Sequence, residues 1–337
     1  MRTGGNSIKM TPVCTLDTGD TMVNSLAFSS FRRIVFTILM AVSVAASAQD
    51  KLIWNSLDPD NTVYLQMQEG MIIIELNPTF APKTVKKFKN LLGQQFYRGL
   101  SFYRVIDGFV AQAGDESDID GNQKATTLKA EFEINWPLKP KDKEEAQDWV
   151  PLSWTPVQTD DMFAPYTGFI DGFPAARNKK KAGKAWLTHC PGTVAMARND
   201  DPDSGGTDFY IVIGQAPRYL DRNLTVFGRV VWGMDVVQRI KRGPALENGI
   251  IEADLERSWI KRLRLASTLE ASERPDIYVA DTNSDGFKNL LKERRNRSHK
   301  FFHHKPPKVL DICQVPVPAR LEKPFVKRTL KIPSKSG

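Results

Sequence analysis

Cysteine is nearly missing from this chain of 337 residues: there are three, Cys14, Cys190 and Cys313. None forms a C-x-x-C pair and no Cys/His spacing suits zinc, so no metal site and no cofactor are expected. Histidine is almost as scarce. His299, His303 and His304 lie in a basic tail, which leaves His189, in a turn-like Thr-His-Cys-Pro-Gly context, as the one candidate for a His-dependent triad. The body also lacks net positive charge. The formal net charge is +8, but residues 291–337 hold 13 Lys/Arg against 3 Asp/Glu and residues 1–48 hold 4 against 2, which leaves −4 for residues 49–290. The basicity belongs to the tail, so nucleic acid is not expected as a partner of the body, and the tail itself reads as solvated. A comfortable membrane span is missing too, because the apolar run at 34–46 is too short.

That run has another use. Arg32-Arg33 precede it, and Ala46-Ser47-Ala48 fits a small-residue cleavage pattern with Gln49 as the new N-terminus. Residues 1–48 are therefore expected to be a signal peptide, with Met22 as a second candidate start; an uncleaved anchor is the alternative. The expectation is an exported protein, periplasmic or secreted, with no stable membrane insertion after cleavage. In an oxidising compartment Cys190 and Cys313 become a candidate disulfide, which the sequence alone leaves open.

After a linker at 49–61, two apolar runs at 62–67 and 71–76 flank Glu69-Gly70, a hairpin signal. Pro82 then opens a helical pattern with Val85, Phe88, Leu91 and Leu92 in phase and Gly93 at its end. Residues 116–188 are broken by prolines yet rich in Trp, Phe and Tyr, which reads as an irregular but ordered insertion docked on the body. Short strands follow at 192–198, 208–214 and 226–230, then a helix carrying Met234, Val237 and Ile240, and a closing strand at 259–265. Many short strands with two helices point to an antiparallel barrel or sandwich. Residues 269–337 form a basic extension with a helix over 287–297, started near Thr282 or Ser284, and a flexible end from 323.

The stretch 101–115, SFYRVIDGFVAQAGD, is the most informative. Two apolar runs meet at Asp107-Gly108, and in a regular strand Arg104 shares a face with Phe102 and Ile106. A guanidinium among apolar side chains is either snorkelling to water or held there for use. The acidic cluster Asp200, Asp201 and Asp203 offers a rival centre, for a hydrolase, but its Gly/Ser/Pro-rich setting reads as a turn.

Three motifs resemble the cyclophilins, a family of peptidyl-prolyl cis-trans isomerases. Phe102, Arg104, Gly108, Phe109, Gln112, Gly114 and Asp115 stand in register with the first signature. Met196-Ala197-Arg198, a Gly/Ser-rich loop and Thr207-Asp208-Phe209-Tyr210-Ile211 are similar to the second, and Tyr219-Leu220-Asp221 followed by Val226-Phe227-Gly228-Arg229-Val230 to the third. The resemblance covers about 60–268 and implies an eight-stranded antiparallel barrel capped by two helices. It implies that Arg104 is catalytic, that Phe109 and Leu220 wall a proline pocket, that Gln112 binds substrate backbone, and that Ala197 contacts the residue before proline. Phe102, Asp208, Tyr210, Tyr219 and Leu224 complete the expected substrate-binding set. Tyr210 replaces a phenylalanine, Asp208 a glutamine, Leu224 a histidine and Tyr219 the tryptophan that favours cyclosporin. The implied partners are proline-containing polypeptides, and a monomer is expected. A weakly active proline-peptide chaperone is the alternative function.

Overall fold

The computed structural model describes residues 51–116, 127–140 and 151–323. The leader expected at 1–48 and the flexible end expected beyond Lys323 lie outside the described residues. In chain order the elements are β1 (Trp54–Ser56), β2 (Thr62–Met67), β3 (Met71–Leu76), α1 (Pro82–Gly93), β4 (Ser101–Ile106), β5 (Val110–Gly114), β6 (Ile134–Trp136), β7 (Thr155–Asp161), β8 (Ala164–Ile170), β9 (Phe173–Arg177) and β10 (Gly183–Leu187). Then come β11 (Thr193–Met196), β12 (Phe209–Val212), β13 (Val226–Trp232), a one-turn helix α2 (Met234–Val237), β14 (Ser258–Leu265), β15 (Asp276–Ala280), α3 (Asp285–Asn296) and β16 (Ala319–Lys323).

Eight strands close into an antiparallel barrel in the order β11-β12-β5-β4-β14-β2-β3-β13, as the resemblance implies. Its interior is filled by alternate residues, among them Val63, Leu65, Ile72, Ile74, Phe102, Val105, Phe209, Ile211 and Phe227. Helix α1 closes one end through Val85, Phe88 and Leu92; the Phe88 ring lies 5.7 Å from Phe209 and 5.0 Å from Phe227. Pro82 starts α1, but Ala81 brings no capping side chain. The Glu131 carboxylate, 47 residues along the chain from Thr84, accepts instead from the N–H groups of Lys83 (3.0 Å) and Thr84 (2.9 Å), where the helix dipole favours negative charge. The second capping helix is shorter than its apolar spacing suggests: only 234–237 is α-helical, and Ile240 is buried from the turn that follows.

Among its described residues the insertion is not irregular. Residues 134–187 contribute a five-stranded antiparallel sheet, β6-β10-β9-β8-β7. The prolines that obscured it are compatible with strands at edges and starts: Pro156 is in edge strand β7, Pro165 near the start of β8, and Pro174 near the start of β9. This sheet packs Trp136, Ile170, Phe173 and Leu187 against the outward residues Val110, Ala195, Tyr210, Val212 and Val226 of the barrel. β11 and β12 are thus buried on both faces, which explains their unbroken apolar runs. Arg177 is buried between β9 and the loop before β7, its guanidinium 3.9 Å from the Trp154 ring centroid and 5.0 Å from that of Trp136; the exposed lysines 179–181 are a hairpin tip.

The extension folds back. Ser284 caps α3 by accepting from Phe287 N–H, and Phe287 and Leu291 pack on Val157 and Phe169 of the insertion sheet. The linker at 49–61 is partly a strand, since β1 pairs with β15 and β15 with β16. Cys190 and Cys313 are joined in a disulfide across 123 residues, tying the segment before β11 to the extension. Among the described residues, no helix is long and apolar enough to cross a membrane.

Candidate active site

Four neighbouring strands set the site. Arg104 on β4 is the cross-strand partner of Gln112 on β5, Gln112 is the partner of Tyr210 on β12, and Tyr210 of Ala195 on β11. Their side chains form one row on the outside of the barrel, because cross-strand partners share a face. Strand β4 is irregular between Ser101 and Arg104. This overturns the expected sharing of a face: Phe102 is fully buried in the barrel interior, 6.1 Å from Phe209, and does not line the groove. The segment after α2 fixes the groove end of β4, with Val105 N–H donating to Gly249 O (2.7 Å) and Ile251 N–H to Tyr103 O (2.8 Å).

Arg104 is half-buried, and its Nη1 donates to Gln112 Oε1 at 3.0 Å. Among the described residues it forms no ion pair. Gln112 Nε2 donates to Tyr103 Oη (2.6 Å) and reaches Asp208 Oδ2 (3.4 Å), and the Tyr103 hydroxyl donates to that same carboxylate oxygen. Thr207 Oγ1 donates to Asp208 Oδ1 at 3.2 Å. Burial lowers the pKa of Arg104, with the Tyr103 hydroxyl opposing. Burial raises Tyr103 far above its ordinary value, with the Asp208 charge adding, so Tyr103 acts as a neutral donor. Burial also raises Asp208, against the hydrogen bonds from Tyr103, Gln112 and Thr207. Gly114 sits at φ +152°, and a Cβ there would come within 2.0 Å of Asp208 Oδ1, so this signature glycine makes room for the carboxylate. Tyr103, Arg104, Gln112, Ala197, Thr207 and Asp208 line a groove of about 350 Å³.

The apolar part lies beside it. Phe109, Ala197 and Leu224, all half-buried, pack with Tyr210 in the cluster that faces the insertion sheet. Phe109 is held by the close passage of 213–214 over the Asp107-Gly108 bend: Ile213 N–H donates to Phe109 O (2.9 Å), and a Cβ on Gly214 would stand 1.7 Å from Gly108 O. Ala197 N–H donates to Asp208 O at 2.9 Å. Leu220 lies outside that cluster, half-buried on the turn Arg218–Leu220, while Tyr219 is 65% exposed.

Sequence reasoning missed what holds this turn. The Tyr210 hydroxyl meets Nε2 of the fully buried His189 at 2.8 Å. His189 Nδ1 meets Asp221 Oδ1 at 3.1 Å, and Asp221 Oδ2 accepts from Arg218 Nε at 2.6 Å. The one histidine of the body is therefore a buried strut between pocket wall and turn. Asp221, one residue from Leu220, and the replacement of phenylalanine by tyrosine at 210 were the available signals. The rival acidic cluster is a turn: Asp201 Oδ1 accepts from Asp203 N–H (2.9 Å) and Asp203 Oδ1 from Ala130 N–H (2.8 Å).

Comparison with known proteins agrees with this geometry. Residues 62–257 match the model of the family described as cyclophilin type peptidyl-prolyl cis-trans isomerase/CLD. A probable peptidyl-prolyl cis-trans isomerase of Brucella suis biovar 1 (strain 1330) is 31% identical over 198 residues, 59% of this chain and 80% of that protein. Human peptidyl-prolyl cis-trans isomerase-like 1 is 29% identical over 186 residues, 55% of this chain and 82% of its own. The crystal structure of cyclophilin AquaCyp293 from Hirschia baltica superposes with a TM-score of 0.62 at 29% identity, covering 81% of this chain and 94% of that one. That coverage runs past the barrel segment. With a closed eight-stranded barrel, an arginine–glutamine pair on its outer face and a family match that spans all of the barrel but its closing strand β14, the chain belongs to the cyclophilin-type peptidyl-prolyl cis-trans isomerases.

Proposed function

We propose that Arg104 is the catalytic residue of this isomerase and that the protein works on X-Pro bonds of exported polypeptides. An X-Pro bond rotates over a barrier of ~18–20 kcal/mol because twisting breaks amide resonance. The twisted state differs from the planar one in a pyramidal proline nitrogen with a lone pair. A fixed donor aimed at that nitrogen favours the twisted state, and neither nucleophile nor proton transfer is required. The observation that carries this role is the guanidinium itself: half-buried, hydrogen-bonded at one nitrogen to Gln112 and without an ion pair among the described residues. Gln112 orients it and binds substrate backbone, Phe109, Tyr210 and Leu224 grip the proline ring with Leu220 at the edge, and Ala197 and Asp208 border the residues before proline. A charged hydrogen bond contributes ~1.5–3 kcal/mol, so the grip on the ring supplies much of the rest.

Two features support export: the Arg32-Arg33, apolar-run and Ala46-Ser47-Ala48 pattern of residues 32–48, and the Cys190–Cys313 bond, which suits an oxidising compartment. The deciding experiment follows isomerisation of a short Ala-Ala-Pro-Phe peptide by residues 49–337 and by Arg104→Ala. The variant is expected to lose at least about tenfold in kcat/KM, ~1.4 kcal/mol of transition-state stabilisation. Equal rates would remove Arg104 from the mechanism, and binding without turnover would favour the chaperone function. N-terminal sequencing of the mature protein is expected to begin at Gln49.

A further inference from the structure

Two large apolar side chains stand at the tip of the β7–β8 hairpin: Met162 is 90% exposed and Phe163 45%. Asp161 pairs directly with Ala164, so these two residues are the whole loop. Neither residue takes a positive φ, so this turn does not call for the Asn, Asp or Gly of ordinary two-residue hairpin loops, and nothing in its backbone calls for two large apolar side chains either.

The tip is fixed in place. Asp161 Oδ1 accepts from Phe163 N–H (3.0 Å) and lies 3.3 Å from Nη2 of the buried Arg218. The guanidinium carbon of Arg218 is 5.3 Å from the Phe163 ring centroid, and its Nε donates to Asp221. Arg218 immediately precedes Tyr219 and Leu220 in the turn at the edge of the proline pocket. One buried arginine thus fastens an exposed apolar tip of the insertion to the exposed Tyr219 at the pocket's edge.

We propose that Met162, Phe163 and Tyr219 form a subsite that binds apolar side chains of the substrate polypeptide on the far side of the isomerised proline. The proposal rests on the reading of the groove given above. With Ala197 bordering the residue before proline, the following chain leaves over Leu220 and Tyr219, toward the hairpin tip. Apolar residues two or more positions beyond the proline reach it, whereas a tetrapeptide ending one residue after proline does not. The subsite selects unfolded chains in which an X-Pro bond precedes an apolar segment, and a folded client hides such segments.

The test compares three peptides with one X-Pro core: Ala-Ala-Pro-Phe, the same extended by Gly-Leu-Phe, and the same extended by Gly-Ser-Ser. Exchange is followed by NMR with residues 49–337 and with the double variant Met162→Ser, Phe163→Ser. The parent is expected to favour the apolar extension over the serine one by about tenfold in kcat/KM, the effect of one apolar side chain buried on a ledge. In the variant that preference falls to within about twofold while the tetrapeptide rate is kept. A parent indifferent to the extension, or a variant that keeps the preference, overturns the subsite. Loss of tetrapeptide turnover in the variant also overturns it, since the tip would then be shaping the pocket. If the parent accelerates none of the three, the reading of the groove fails and the subsite fails with it.

Discussion

Replacing Tyr210 by phenylalanine separates the two jobs the structure gives this residue. The ring faces the pocket cluster, while the hydroxyl is the partner of His189 Nε2 at 2.8 Å. The His189 side chain has no exposure, and its Nδ1 faces Asp221 Oδ1, a carboxylate also bonded by Arg218. An imidazole that donates from Nδ1 presents Nε2 as an acceptor, and the Tyr210 hydroxyl is its donor. Tyr210→Phe removes one oxygen, opens little space and strands a buried acceptor, at a cost of ~1–3 kcal/mol. At about 2–4 °C per kcal/mol for a domain of 150–250 residues, the melting temperature should fall by roughly 2–12 °C. The ring remains, so turnover of the tetrapeptide should stay within about twofold of the parent. Urea unfolding followed by tryptophan fluorescence, with the isomerisation assay alongside, reads both quantities. Unchanged stability would mean that the hydroxyl does not satisfy His189. A tenfold loss of activity at nearly full stability would place the hydroxyl on the substrate and refute the division of labour.

The disulfide closes 123 residues, and loops of about that length gain ~2–5 kcal/mol from a cross-link. Cys190→Ser with Cys313→Ser should therefore lower unfolding stability by that amount in urea titrations; a change below ~1 kcal/mol would assign the docking of the extension to its apolar cluster alone. Burial raises Asp208 above the unfolded carboxylate value of ~3.9. Between that value and the raised one, the folded state keeps a proton the unfolded chain has lost, so this group makes stability fall as pH rises through the window. Asp208→Asn removes the fall, and its stability relative to the parent should climb from pH 4 to pH 7; a difference constant with pH would sink the argument.

What the sequence determined by itself is local or periodic. The 62–76 hairpin, the Pro82 helix, the strands at 192–198 and 208–214 and the spacing from Arg104 to Gln112 are all set within a few residues, and all appear in the barrel. The motif residues also fixed the family. What only the tertiary structure decided involves partners far apart in the chain, or one residue of register. The break in β4 sends Phe102 inward and Arg104 outward, and a similar break in β14 between Ile260 and Arg262 buries Ile260 together with Leu263, although strict alternation puts them on opposite faces. Period-2 reasoning cannot anticipate such shifts, since a single extra residue reverses every face that follows. The insertion looked irregular because its prolines mask strands whose hydrogen bonds come from one another. Its apolar face needs the barrel's outer face, so neither side explains its sequence alone. Glu131 capping α1, His189 bracing Tyr210 and Cys313 meeting Cys190 depend on closures of 47, 21 and 123 residues. Side-chain chemistry supplies each of these groups, but only the folded chain brings them together.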